Sequence, residues 1–254
     1  MPSAASAALN KVPQVTLAFW IIKIFATTLG ETGGDAVSMT LNLGYALATG
    51  IFFAIFLVTL GAQLAVKRYN PVTYWLVILA TTTVGTTISD FLDRSAHLGY
   101  MGGSAVLVTA LIAVLVIWRL TLGAITFSHV VDRKVEAFYW VTILISNTLG
   151  TALGDFVSDD SGLGYHGAAL IFGGLIGLIA LAYFFTKAPR TLLFWAAFVL
   201  TRPLGATLGD SLTKPLAHGG LNLGTLQSSL VLALALVILV AFAARKAAPA
   251  DSTV

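Results

Sequence analysis

The chain has 254 residues, of which 57% are hydrophobic and only 10% charged, with a mean hydropathy of +0.92; a soluble domain would carry about 25% charged residues, so this one belongs in a bilayer. It has no cysteine, which excludes thiolate metal sites, iron–sulfur clusters, disulfide frameworks and cysteine nucleophiles. The net charge of +3 comes from 14 Lys and Arg against 11 Asp and Glu, and the cations sit in small clusters between apolar runs. They read as topology signals, with no nucleic-acid partner.

Crossing about 30 Å of hydrocarbon takes about 20 helical residues. Apolar runs of that length lie at 14–34, 44–66, 72–91, 99–121, 136–157, 164–186, 191–212 and 223–244. The run 50–60 is apolar on every side, whereas membrane strands alternate with polar positions. The expectation is an all-α membrane protein, a single transmembrane domain over 1–254 with eight transmembrane helices. The N-terminus lacks a charged start followed by an apolar stretch, so no cleaved signal peptide is expected. Lys11, Lys67, Arg68, Arg119, Arg133, Lys134, Lys187, Arg190, Arg245 and Lys246 fall at the termini or in the even-to-odd connections, and the opposite connections hold Arg94 and Lys214. By the positive-inside rule both termini are cytoplasmic.

Four copies of one unit follow each other along the chain. Trp20, Trp75, Trp140 and Trp195 each follow an aromatic residue, have a Gly ten positions on and an Asp fifteen positions on: Asp35, Asp90, Asp155 and Asp210. The units run 13–67, 71–121, 135–187 and 190–245, and the halves repeat with a period of 120, as two rounds of duplication would leave them. Leu-Gly-Tyr opens the second helix at 43–45, 98–100 and 163–165; the fourth unit matches only after four extra residues, at 221–225, and has Thr225 in place of Tyr. Two spans per unit make the copies parallel, related by a pseudo-fourfold or double-twofold axis along the membrane normal.

Positions eight, eleven and fifteen after Trp share a helix face. They read Thr28, Glu31, Asp35; Thr83, Thr86, Asp90; Thr148, Thr151, Asp155; and Pro203, Ala206, Asp210. Carboxylates inside spans are costly and normally face a bundle interior or wet cavity; several on one axis repel unless cations or protons compensate. The expected metal ligands are therefore Glu31, Asp35, Asp90, Asp155 and Asp210, with Thr28 and Asn147 adding neutral oxygens. An unbroken helix places the aspartates about 22 Å beyond Trp, in an outward-facing vestibule. Read instead as helix-end residues they would be solvated, against which stands their recurrence in every copy. The small pairs Gly30/Gly34, Gly85/Ser89, Gly150/Gly154 and Gly205/Gly209 read as packing positions, and the Trp residues as interface anchors. Lys23 reads as snorkelling to the interface, and Arg202 as pairing with an acid of a neighbouring helix. His97, His166 and His218, with Asp93, Asp159 and Asp160, lie in the outer connections without metal-protease spacing; His129, on the other side, has no assigned role.

The aromatic-Trp starts and Thr-x-Gly-x-x-x-Gly-Asp-like segments, Trp20 to Asp35 and the three matching stretches, resemble a family of small bacterial inner-membrane proteins made of four tandem two-helix repeats and catalogued as a repeat of unknown function. The resemblance implies an inner-membrane location and manganese transport, with Glu31, Asp35, Asp90, Asp155 and Asp210 binding or passing the ion. Oxygen donors suit hard divalent cations. The leading expectation is a divalent-cation transporter, not an enzyme, with no cofactor beyond the transported metal, lipid around it, and an open oligomeric state that includes a homodimer. The alternatives are a proton-coupled transporter of a small organic solute, a metal-dependent enzyme working through the outer histidines and aspartates, and a membrane scaffold or sensor.

Overall fold

The computed structural model describes residues 10–126 and 130–247; the readings of the extreme N-terminus and of His129 lie outside them. Eight long helices appear: α1 (Leu17–Asp35), α2 (Tyr45–Ala65), α3 (Pro71–Asp90), α4 (Gly99–Leu122), α5 (Arg133–Asp155), α6 (Gly164–Phe185), α7 (Arg190–Thr213) and α8 (Thr225–Ala247). Three of the odd-numbered helices, α1, α3 and α5, start on side-chain caps, which satisfy first-turn N–H groups, while α7 follows Pro189 without one. Thr16 accepts from Phe19 N, Asn70 from Val72 N and Thr73 N ahead of Pro71, and Asp132 from Lys134 N and Val135 N. Past their aspartates α1, α3 and α5 each run into a π-helical turn, at Ala36–Thr40, Phe91–Ser95 and Phe156–Asp160. Each turn then reverses through a left-handed glycine, Gly44, Gly99 or Gly164, with φ between +64° and +74°. Gly224 holds the same conformation at φ +83°, so the fourth unit keeps this geometry across its insertion. Two positions earlier stand Asn42, His97, Gly162 and Asn222, all at positive φ. His97 thus occupies a turn position, of the kind Asn, Asp and His fill more readily than other side chains.

The odd-numbered helices form a ring: α1 packs on α3 and α7, and α5 on α3 and α7. The even-numbered helices stand outside it, α2 against α3, α4 against α5, α6 against α7 and α8 against α1. Each outer helix thus buries its face on the inner helix of the following unit, and α8 closes the circle. In their most apolar stretches α2, α6 and α8 bury 11% of residues and α4 17%, against 67% to 72% for α3, α5 and α7; the outer helices carry the exposed apolar surface of the bundle. Seven helices are long and apolar enough to cross a membrane. The eighth, α1, has the length but carries Lys23, Glu31 and Asp35, all buried among its neighbours. A helix shielded by others does not need an apolar surface for lipid.

Close approach inside the ring follows a cyclic rule. A Cβ on Gly30 would overlap Thr82, on Gly85 would crowd Thr148, on Gly150 would overlap Arg202 and on Gly205 would overlap Thr27. These small residues let each inner helix lie against the next. Gly30 to Asp35 stay within one unbroken helix.

The tryptophans are not interface anchors: Trp75, Trp140 and Trp195 are buried in the core. Each aromatic residue before a Trp packs on the Trp of the following unit. Ring centroids are 5.5 Å apart for Phe19–Trp75, 5.5 Å for Tyr74–Trp140, 5.9 Å for Tyr139–Trp195 and 5.8 Å for Phe194–Trp20. These eight rings, at the edge-on and tilted angles aromatic pairs prefer, fill one end of the ring of helices. Below them the N-terminal segment crosses the base. Lys11 Nζ reaches Glu136 Oε2 at 2.7 Å and donates to Leu64 O at 3.3 Å, while Gln63 Nε2 donates to Lys11 O at 3.4 Å. Lys11, read from the sequence as a topology cation, is buried here as half of an ion pair.

Candidate functional site

The four repeat aspartates, each 3% to 5% exposed, lie at the end of the ring opposite the aromatic band. They are divided into two pairs, each bridged by a cation. Lys214 Nζ is 2.7 Å from Asp35 Oδ2 and 3.3 Å from Asp210 Oδ1. Arg94 lies 3.0 Å from Asp90 Oδ1 and 3.8 Å from Asp155 Oδ2. Arg94 and Lys214 are 120 residues apart, as are Asp35 and Asp155, and Asp90 and Asp210. One bridge is therefore the pseudo-twofold image of the other. Burial opposes the charge on Lys214, but the carboxylates of Asp210 and Asp35 outweigh it and hold the ammonium well above the ordinary lysine range. Arg94 and Lys214, which bridge the aspartates, are the residues of the candidate site that the sequence reading passed over. Their signal was present: they are the two cations of the connections otherwise poor in them, one duplication period apart.

One turn deeper the symmetry breaks. Arg202, fully buried, directs one guanidinium nitrogen at Glu31 Oε2 (2.8 Å), Thr86 Oγ1 (2.5 Å) and Thr151 Oγ1 (2.6 Å). These are the eleventh-position residues of the first three units; the fourth is Ala206. The expected pairing of Arg202 with an acid of a neighbouring helix is found, and its partner is Glu31. Glu31, Asp35 and Asp210 have carboxylate oxygens within 4.8 Å of one another, the one grouping of three acidic or histidine side chains among the described residues close enough to share an ion. Asp90 and Asp155 stand apart from that grouping, under Arg94. The hydroxyls of Thr28, Thr83 and Thr148 each donate to a carbonyl of their own helix, four residues back. Asn147, a turn below the Glu31 level, donates from Nδ2 to Thr81 Oγ1 at 3.0 Å.

Lys23 does not snorkel. It is fully buried with Nζ 3.7 Å from the centroid of the Phe198 ring and no hydrogen-bond partner. A cation over an aromatic face gains most where water is excluded.

Two clefts open beside the aspartates. One of about 250 Å³ is lined by Asp35, Thr213, Lys214 and Thr225, and one of about 540 Å³ lies between Arg94, Lys214, Ser158 and Tyr165. The tyrosines of the Leu-Gly-Tyr motif belong to this rim: Arg94 lies 6.0 Å from the ring centroid of Tyr45 and 5.7 Å from that of Tyr100. His97 and His166 are exposed at the same end and take no part in the acidic grouping.

The architecture is that of a membrane-type helical bundle built from tandem helix pairs around a charged interior. The chain belongs to the family described as Repeat of Unknown Function (DUF347), whose model matches four times, at residues 18–69, 73–123, 138–188 and 193–248. No curated protein and no solved structure matches it.

Proposed function

We propose that the protein transports a divalent metal cation, manganese being the first cargo to test, and that the ion binds between Glu31, Asp35 and Asp210. One observation carries the reading: these three buried carboxylates converge on two tethered monocations, Arg202 and Lys214. A single divalent ion that takes the place of both leaves the local charge unchanged, whereas a monovalent ion does not; uncompensated charge in a buried site is expensive. Lys214, at the edge of the smaller cleft, is a built-in competitor for an ion arriving from that end. All available donors are oxygens, which suits Mn²⁺ or Mg²⁺ better than softer ions. The reconstituted protein is expected to move Mn²⁺ into liposomes, and Glu31→Gln combined with Asp35→Asn to abolish that flux; full flux in the double variant would overturn the assignment.

The larger cleft supports a second reading. Its volume of about 540 Å³ falls within the range of about 300–1,000 Å³ typical for small organic ligands, and the buried carboxylates would then relay protons. Uptake of such a solute driven by a pH gradient in metal-free buffer distinguishes this from cation transport.

A further inference from the structure

Two of the four inner-helix interfaces join the duplicated halves, α1–α7 and α3–α5, and the 120-residue shift relates one to the other. Their chemistry differs. Across α3–α5 the Tyr74 and Tyr139 hydroxyls share a 2.7 Å hydrogen bond, Asn147 bonds Thr81, and Arg94 reaches Asp155. At the base of the same interface the N-terminal segment is tied down: Tyr69 N donates to Asn10 O, Val130 N to Asn10 Oδ1, and Lys11 pairs with Glu136. Across α1–α7 Thr27 Oγ1 donates to Thr201 O and Phe194 packs on Phe19 and Trp20, and beside them runs a column of charges in which Lys214 on Asp35 repeats the Arg94 bridge while Lys23 over Phe198 and Arg202 on Glu31 are added. Lys23 and Arg202 have no charged counterpart in the other half, where Ile143 and Thr82 stand.

The helix on one side of that column is also built to bend. Among the inner helices α7 alone has an interior proline, Pro203, which has no N–H for the carbonyl of Val199 and crowds it with its ring. Beyond Pro203, α7 carries Asp210 and leads into Lys214, and it ends there without the π-helical turn that follows α1, α3 and α5.

We propose that the α1–α7 interface is the moving gate and α3–α5 the fixed hinge: a divalent cation entering between Glu31, Asp35 and Asp210 displaces Lys214 and Arg202, and the outer part of α7 swings about Pro203. The proposal rests on the cation reading above. It places the entry of the ion at the outer end of α1 and α7, at the smaller cleft that Asp35 and Lys214 line.

Because the chain has no cysteine, introduced pairs are the only thiols. Leu41→Cys and Leu216→Cys lie next to Thr40 and Pro215, which line the smaller cleft at the outer end of α1 and α7, and Ser161→Cys with Ala96→Cys is the pair one duplication period away, at α3–α5; all four positions are exposed. Each pair is joined by a short cleavable bis-thiosulfonate, with Mn²⁺ binding and Mn²⁺ flux measured separately. The expected result is that the α1–α7 link lowers flux by at least about tenfold, roughly 1.4 kcal/mol of barrier, with recovery on reduction and with binding intact, while the α3–α5 link leaves flux unchanged. Unaltered flux with α1–α7 linked, or equal inhibition by both links, overturns the gate while leaving the cation reading standing. Failure of the unlinked protein to bind Mn²⁺ overturns both. Independently, Pro203→Ala restores the missing helix bond and is expected to keep binding while slowing flux; unchanged flux overturns the bend.

Discussion

A single guanidinium nitrogen of Arg202 meets Glu31, Thr86 and Thr151 in the interior, so three of the four inner helices are tied to α7 by one side chain. Removing one member of a buried ion pair leaves the other uncompensated, at a cost of about 3–5 kcal/mol, whereas replacing both can be nearly neutral. Arg202→Met is therefore expected to destabilise the purified protein by about that amount, and Glu31→Gln added to it to recover most of the loss, as thermal unfolding in detergent will register. Lys214 calls for a different test. Its raised pKa keeps it charged well past the ordinary lysine value of about 10.4. The stabilisation from its pairing is present below that value and is lost only as pH rises through the raised one. Lys214→Met leaves Asp35 and Asp210 without their shared cation, so its stability deficit should be largest at mildly alkaline pH, where both acids are charged, and should shrink as pH falls and they take up protons. If Lys214 competes with the cargo, the same variant should bind Mn²⁺ more tightly; weaker binding would make the ammonium a support of the site instead.

Among the elements, the inner helices depend on glycine where they touch and tolerate change where they do not. A Cβ at Gly205 would overlap Thr27 Oγ1 and lie 2.9 Å from a backbone carbon, while at Gly33 it meets nothing within 4 Å. Gly205→Ala is expected to cost about 1–3 kcal/mol, the range for forcing extra volume into a packed interior, and Gly33→Ala to cost nothing, both read as shifts in melting temperature. This difference marks the limit of what the sequence shows. Helices and their matching levels are local, so the repeating frame of Trp, Gly and Asp reveals the tandem pairs and the common depth of Asp35, Asp90, Asp155 and Asp210. Which helix lies beside which is not local, and neither periodicity nor spacing says that α2 packs on α3 and α8 on α1. The Trp residues and Lys23 mislead for a related reason: an aromatic or a long cation near a helix end suits a lipid interface and a protein interior equally. Only the neighbours decide, and here they are Phe19, Tyr74, Tyr139 and Phe194 for the one and Phe198 for the other. Arg202 was readable because it stands one turn from Ala206 and two from Asp210 on its own helix, leaving an acid of a neighbouring helix as its natural partner.

For the whole molecule, circular packing means that neither half is complete. α4 needs α5 of the second half and α8 needs α1 of the first, so fragments divided at 127–129 are expected to be degraded when produced singly and to assemble when produced together, as co-purification of one with the other will test. The bridges over the aspartates carry the same reciprocity. Arg94 of the first half reaches Asp155 of the second, and Lys214 of the second reaches Asp35 of the first: each half lends one base and borrows one acid. Self-complementary exchange of this kind is the signature of an isologous contact between identical subunits. A half-length ancestor with two helix pairs would have met its own copy through these same residues, and the present chain reads as that dimer fused end to end, free after fusion to put Lys23, Glu31, Arg202 and Pro203 on one side only.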